Sequence, residues 1–150
     1  MKIENIEVRR YINTSSESKL ALYGFSDASR RAYSAVVNGI ITNPNGDSVV
    51  KLLSAKTKVA PVKQLSIPRL ELCGALLLSK LLINVKLALQ SKITEIVAWT
   101  DSTIVLDWLS AHPSKWTTFV GNRTGEILTY LNRTAMEAYR ISRQSGRLCF

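Results

Sequence analysis

The stretch IPRLELCGALLLSKLLINVKLALQ, residues 67–90, constrains the fold more than any other part of the chain. Apolar side chains fill its positions from Leu70 to Leu89 with few breaks. Pro68 suits a first helical turn, where its missing N–H costs nothing. A helix that apolar on most sides has to be covered by other elements. Its neighbours in sequence can supply the cover. Three runs with strand character precede it, and a short apolar run, Ile96–Trp99, follows it. A long helix between strands permits a crossover, so the fourth strand can pair in parallel with the first. The expectation is an α/β domain built on a mixed sheet.

The three early runs are Leu20–Ser26, Arg31–Thr42 and Ser48–Ala60. Tyr33, Ala35, Val37 and Ile41 alternate roughly at the strand period. Asn43-Pro-Asn-Gly-Asp47 is a strong turn signal, with Gly46 free to take positive φ. An antiparallel meander is therefore expected. Beyond the long helix, Ser91–Glu95 reads as a loop and Ser102–Ser110 as a helix with Ile104, Val105, Trp108 and Leu109 inward. His112-Pro113 ends that helix or makes a surface turn. A second helical pattern starts near Trp116 and runs through Phe119, Val120, Ile127, Leu131, Ala135 and Ala138. Residues 1–19, polar and carrying NTSSESK, read as a linker or N-terminal arm.

Size and charge narrow the function. At 150 residues and 46% hydrophobic, the chain has one domain's length and can bury a sizeable core. No run of 18 apolar residues occurs; Leu76–Leu89 is broken by Lys80, Asn84 and Lys86, which argues against a membrane span. The N-terminus, MKIENIEVRRY, lacks the apolar region of a secretory signal. Cys73 and Cys149 have no CxxC spacing and read as reduced thiols of an intracellular protein, in cytoplasm or nucleus. The net charge of +9 points to a polyanionic partner, with nucleic acid the commonest.

Three carboxylates look out of place against this pattern. Asp27 closes the first strand; beside Gly24 and Ser26 it also reads as a turn or bulge residue. Glu71 shares a helix face with Ile67, Gly74, Ala75 and Leu78, so it points at the buried side. A buried glutamate is paired or metal-bound; Arg69 or a lysine is the ordinary partner. Asp101 ends a buried strand, as an N-cap or as neighbour to a Ser102 cap. The carboxyl end of a parallel strand is also where open α/β sheets place their chemistry. If the first and fourth strands are neighbours, the crossover helix can lay Glu71 over Asp27 and Asp101. Three carboxylates sharing one dry spot need a cation, and oxygen-only ligands favour Mg²⁺ or Mn²⁺. A pair of such ions about 3.5–4 Å apart serves in-line phosphoryl chemistry.

Lys56, Lys58, Lys63 and Arg69 flank the segment leading into Glu71. They read as phosphate contacts for nucleic acid or as a solvated basic face. Trp99 and Trp108 read as core, from their apolar neighbours.

The blocks FSDASRRAYSAVV, LLSAKTKVAPVKQLSIPRLELCGALLLSKLL and WTDSTIVLDWLSAHPSKWTTFVGNR closely resemble the ribonuclease H-like region of BEL/Pao-type retrotransposon polyproteins. They stand in that family's order and spacing, and the likeness covers residues 20–127. The resemblance implies a ribonuclease H-like fold: a mixed sheet of three antiparallel strands and then a parallel one, with flanking helices. It implies Mg²⁺-dependent hydrolysis of the RNA strand of an RNA–DNA hybrid, with two ions. It implies Asp27, Glu71 and Asp101 as catalytic metal ligands. Partners implied are RNA–DNA hybrid and the reverse transcriptase and integrase regions of the same polyprotein, with no membrane.

One part departs from the pattern. Ribonuclease H-like enzymes carry a fourth acid after a fifth strand. Residues 128–150, TYLNRTAMEAYRISRQSGRLCF from Thr129 on, hold four arginines and one glutamate and no aspartate. They read as a divergent, basic, helical tail with the fifth strand missing, available to cover the vacant sheet edge. The water-activating metal site would then be short of a ligand. The expectation is a nuclease domain of residues 20–127, impaired by that loss. The rivals are a non-catalytic, truncated remnant that keeps the fold and binds nucleic acid, and a connecting module within a reverse transcriptase.

Overall fold

Strand β1, Lys19–Ala28, pairs antiparallel with β2, Ala32–Thr42, which pairs antiparallel with β3, Ser48–Val59, in a computed structural model that describes residues 18–89, 93–134 and 139–143. The expected meander is present. Its second turn closes at Asn43, whose N–H donates to the Asp47 carbonyl at 2.9 Å, and Gly46 takes φ 89°. That angle is costly for any residue with a Cβ, which is why glycine stands there.

Helix α1, Ile67–Leu89, crosses from β3 to β4, Ile93–Thr100. β4 pairs in parallel with β1, as the crossover requires. By length and composition α1 would pass for a membrane-crossing helix, yet it is a core helix here. Its buried leucines, Leu77, Leu78, Leu81 and Leu82, pack on Leu20, Leu22, Val37 and Ile96 of the sheet. Alternation in β1 supplies the receiving face: Leu20, Leu22, Gly24 and Ser26 are all buried. Gly24 sets how closely the layers approach, since a Cβ there would lie 2.6 Å from Leu78 Cδ1.

A second core forms among the helices. Leu72 and Ala75 of α1 meet Val105 of α2, Thr103–Ser110, and Val120 and Ile127 of α3, Thr118–Thr134. Trp108 and Trp116 pack against this cluster, and Trp116 Nε1 donates to the Trp108 carbonyl at 2.9 Å. His112 caps the 3-10 turn Pro113–Lys115, accepting the Ser114 N–H on Nδ1 at 3.3 Å, in keeping with the turn role expected of it.

The sheet holds a correction. A fifth strand was expected to be missing, but β5, Tyr139–Arg143, pairs in parallel with β4, giving the order β3-β2-β1-β4-β5. The described part of the basic tail is therefore helical up to Thr134 and extended over Tyr139–Arg143. The reason is tertiary. YRISR has too few apolar residues to announce a strand, but β4 would otherwise present an unpaired row of N–H and C=O groups. Pairing along that edge overrides weak local propensity. Residues 144–150 lie outside the described residues, as do residues 1–17 of the arm expected at 1–19, whose Lys19 opens β1, and Ser91-Lys92 of the loop expected at Ser91–Glu95, whose Ile93–Glu95 belong to β4.

Candidate active site

The three acids come to the same end of the sheet by three different routes. Phe25 pairs with Trp99; Asp27 stands two residues further along β1, and Asp101 two residues on from Trp99, just past the end of β4. Neighbouring strands lie about 4.8 Å apart, so this register sets the two backbones side by side. Glu71 is the fifth residue of α1. One turn later is Gly74, where a Cβ would lie 3.4 Å from the Asp27 carbonyl oxygen and 3.6 Å from Ser26 Cβ. The turn of α1 that follows Glu71 thus rests on the end of β1 that carries Asp27.

Each carboxylate is free of the ordinary structural duties. Asp27 is exposed, and its Oδ1 accepts the Ala28 N–H at 2.7 Å, which fixes one oxygen and leaves the other. Asp101 is exposed and does not cap α2. Ser102 does, its Oγ accepting the Val105 N–H at 3.3 Å. Thr100 Oγ1 in turn accepts the Ser102 N–H at 3.3 Å, so the chain on both sides of Asp101 is pinned. Glu71 lies outside the first turn of α1, which has no acidic residue, and so beyond the strongest reach of the helix dipole.

Glu71 was expected to be buried and is half-buried instead. Leu70 and Leu72 on either side take the core positions, while Arg69 before them is exposed. The start of α1 therefore emerges from the core at this point. No salt bridge or side-chain hydrogen bond to a described residue neutralises Glu71 or Asp101; the salt bridge among described residues joins Lys80 to Glu126. The side chains as they stand do not close round an ion. Among the described residues, no three carboxylate, imidazole or thiol groups lie close enough to hold a metal.

Of the basic residues singled out in the sequence, Lys56 and Lys58 are exposed on β3, opposite Ala35 and Tyr33 of β2. Lys63 is exposed in the segment before α1. Arg69 is exposed, with its guanidinium 5.2 Å from the centroid of the Phe119 ring. Arg123 stands over the same ring at 3.6 Å and donates from Nη1 to the Phe119 carbonyl at 3.1 Å. The sequence reading missed Arg123, although its place four residues after Phe119 on a helical pattern was a legible signal.

Residues 1–102 match the family model described as "Pao retrotransposon-like RNaseH-like domain". The matched span begins and ends earlier than the resemblance suggested. Among curated proteins, none matches the sequence. Among solved structures, ribonuclease H1 from the halophilic archaeon Halobacterium salinarum NRC-1 is similar at 12% identity and TM-score 0.46, over 83% of this chain and 84% of that one. LC11 ribonuclease H1, solved in complex with an RNA/DNA hybrid, is similar at 9% identity and TM-score 0.49, over 84% and 86%. The protease–reverse transcriptase of prototype foamy virus is similar at 12% identity and TM-score 0.48, over 91% of this chain and 19% of that one. Because that family model matches about two thirds of its length, the chain belongs to the Pao retrotransposon-like RNaseH-like domain family.

Proposed function

We propose that this chain is a metal-dependent nuclease that hydrolyses the RNA strand of an RNA–DNA hybrid, with Asp27, Glu71 and Asp101 as its catalytic carboxylates. One observation carries the reading. Acids from β1, from α1 and from the residue after β4 stand at one end of the sheet with no described cation against Glu71 or Asp101. Closing such carboxylates round one point would set like charges against each other, and a bound cation would offset that cost.

The donor set fits Mg²⁺ or Mn²⁺, since all three ligands are hard oxygens. When bound, such ions supply an activated water and steady the leaving oxygen of an in-line displacement. The chain's own part is positional. The Ala28 N–H holds Asp27 in one orientation, and the Ser102 cap leaves both oxygens of Asp101 without a hydrogen bond to a described residue. Glu71 approaches from the helix over the strand ends. Lys56, Lys58, Lys63 and Arg69 supply positive charge for the phosphate backbone. A hybrid would be read by shape and 2′-hydroxyls rather than by base sequence. Reverse transcriptase and integrase regions of a common polyprotein are the partners this reading carries with it.

A second reading is favoured by the fate of the acids near the C-terminal end. In the last thirty residues only Glu126 and Glu137 are acidic. Glu126 is committed elsewhere: its Oε1 takes Lys80 Nζ at 2.7 Å and the Tyr130 hydroxyl at 3.2 Å. A domain without a fourth acid can keep the fold and bind nucleic acid without cutting it.

Cleavage of a labelled RNA–DNA hybrid, with Mg²⁺ and then Mn²⁺, separates the two. Metal-dependent cutting that disappears in Asp101→Asn establishes the nuclease. A folded protein that binds hybrid but leaves it intact with either metal establishes the binding module.

A further inference from the structure

A cavity of about 10 Å³ lies beneath the acid-bearing end of the sheet, between β1, β4, α1 and α2. Ser26, Ser79 and Thr100 contribute its hydroxyls, and Ala75, Leu78 and Ala98 are part of its apolar wall. The placement follows from the register. Phe25 pairs with Trp99, and Ser26 and Thr100 are the next residues on the two strands. The residues after them are Asp27 and Asp101. Ser79 comes about two turns after Glu71 on α1. Each hydroxyl therefore stands on an element that presents one of the three acids. The ladder between β1 and β4 ends at the Phe25–Trp99 pair, so it does not itself tie the last residues of the two strands together.

The hydroxyls are unequally satisfied. Ser26, Ser79 and Thr100 are buried, at 7%, 3% and 3% exposure. Ser79 Oγ donates to the Ala75 carbonyl at 2.9 Å, which leaves its lone pairs. Thr100 Oγ1 accepts the Ser102 N–H at 3.3 Å, which leaves its O–H. Ser26 Oγ has no hydrogen-bond partner among the described residues and lines the cavity. A buried hydroxyl without a partner costs free energy, and folded proteins leave few of them. The smallest space that takes one water is about 10–15 Å³, so the cavity has room for one and no more. A water there can accept the Thr100 proton, donate to Ser79 Oγ, and bond Ser26 Oγ in either sense. That makes three bonds, about the usual number for a buried water. No charged residue lines the cavity, so an ion has nothing there to offset its loss of hydration.

We propose that Ser26, Ser79 and Thr100 hold one water molecule, and that through it they act as positioning residues for the three carboxylates. The water bridges β1, β4 and α1 at a single point, one residue before Asp27 and one before Asp101. It supplies the tie between the strand ends that the ladder does not. The positioning role rests on the metal-dependent reading above and adds to it three side chains that touch neither metal nor nucleic acid.

Two measurements on the full chain test this, using Ser26→Ala, Ser79→Ala and Thr100→Val, with Ser110→Ala as an exposed serine outside the cavity. The first is a crystal structure of the wild type, expected to show one ordered water within hydrogen-bond distance of the three hydroxyls. The second is calorimetric titration with Mn²⁺ alone, without nucleic acid. Loss of a group that orients a metal ligand costs about 10–100-fold in affinity, and this water acts one step further away, so Ser26→Ala and Ser79→Ala are expected to weaken Mn²⁺ by about 3–10-fold. Ser110→Ala is expected to bind as the wild type does. Ser26→Ala combined with Thr100→Val should cost less than the product of the two single losses, because each removes the same bridge. A hydroxyl with a structural role alone would lower Tm and leave the Mn²⁺ affinity of the folded protein unchanged. Ser79→Ala carries the test should Ser26→Ala loosen β1. A wild-type crystal structure with the cavity dry, or with Ser26 Oγ bonded to a backbone carbonyl instead, overturns the proposal. Unchanged Mn²⁺ affinity in folded Ser26→Ala and Ser79→Ala overturns it too. Failure of the wild type to bind Mn²⁺, with the water in place, sinks the metal reading and the positioning role with it, and leaves the water site standing.

Discussion

Asp101 and Ser102 are adjacent in sequence and divided in labour: Ser102 caps α2 through the Val105 N–H, and Asp101 is left exposed, with no side-chain hydrogen bond to a described residue. The division makes the two residues separable by experiment. Asp101→Asn is expected to change unfolding free energy by no more than about 0.5 kcal/mol, as for an uninvolved surface position. Ser102→Ala is expected to cost about 1 kcal/mol through the lost cap. Urea unfolding of both variants checks this. A large loss in Asp101→Asn would show that the acid has a structural duty.

Gly24 and Gly74 both lie under or within α1 but differ in the room they leave. A Cβ at Gly24 would lie 2.6 Å from Leu78 Cδ1, so Gly24→Val should overpack the core and cost about 1–3 kcal/mol. A Cβ at Gly74 would meet the Asp27 carbonyl at 3.4 Å, an ordinary contact. Gly74→Ala should therefore be tolerated and gain up to about 1 kcal/mol of helix propensity. Gly74→Leu has no such room, and should cost hybrid cleavage as well as stability. Unfolding and cleavage measured on the same samples distinguish the three.

The Lys80–Glu126 pair gives stability a defined pH window. The hydrogen bond from Lys80 lowers the Glu126 pKa, and the same bond raises that of Lys80, each partly opposed by burial. A lowered carboxylate pKa stabilises above the unfolded value and is lost as pH falls through the folded one. A raised lysine pKa stabilises below the unfolded value and is lost as pH rises through the folded one. The pair's contribution should therefore hold between the carboxylate and lysine ranges and fade at both ends. With side chains 44% and 41% exposed, it is worth about 0.2–1 kcal/mol after screening. A double-mutant cycle with Lys80→Met and Glu126→Gln, run at neutral and acid pH, measures it; a coupling that survives acid would contradict the assignment.

Removing residues 135–150 should expose the edge of β4 that β5 covers. The truncated chain is expected to unfold at lower temperature and to self-associate with rising concentration, because an open strand edge is a template for another. Light scattering over a concentration series reads the second effect. A monomeric truncated chain of unchanged Tm would mean that β5 adds nothing to the sheet.

The strands and α1 were legible because their periods are strong. Leu20 and Leu22 alternate with half-buried residues, and the leucines of α1 leave few polar interruptions. Asp27 and Asp101 were legible because each interrupts an apolar run at its end. The burial of Glu71 was misjudged from its neighbours. Gly74, Ala75 and Leu78 on its face are buried as expected, but Ile67 is only half-buried and Arg69 exposed, so the face leaves the core in the first turn. β5 was not legible at all: it has one aliphatic residue, Ile141, and its cause is the edge of β4, which no local pattern records. The cavity at Ser26, Ser79 and Thr100 joins three elements that are distant in sequence, so it exists only in the fold.

The parallel pairing of β1 with β4 also has a kinetic meaning. β1, β2 and β3 are joined by short turns and can pair early, whereas β4 reaches β1 only after the segment containing α1 has closed a long loop. Asp27 belongs to the early part and Asp101 to the late one. A chain arrested at the meander carries one of the three carboxylates and none of their arrangement, so any chemistry at that end of the sheet reports on the completion of folding.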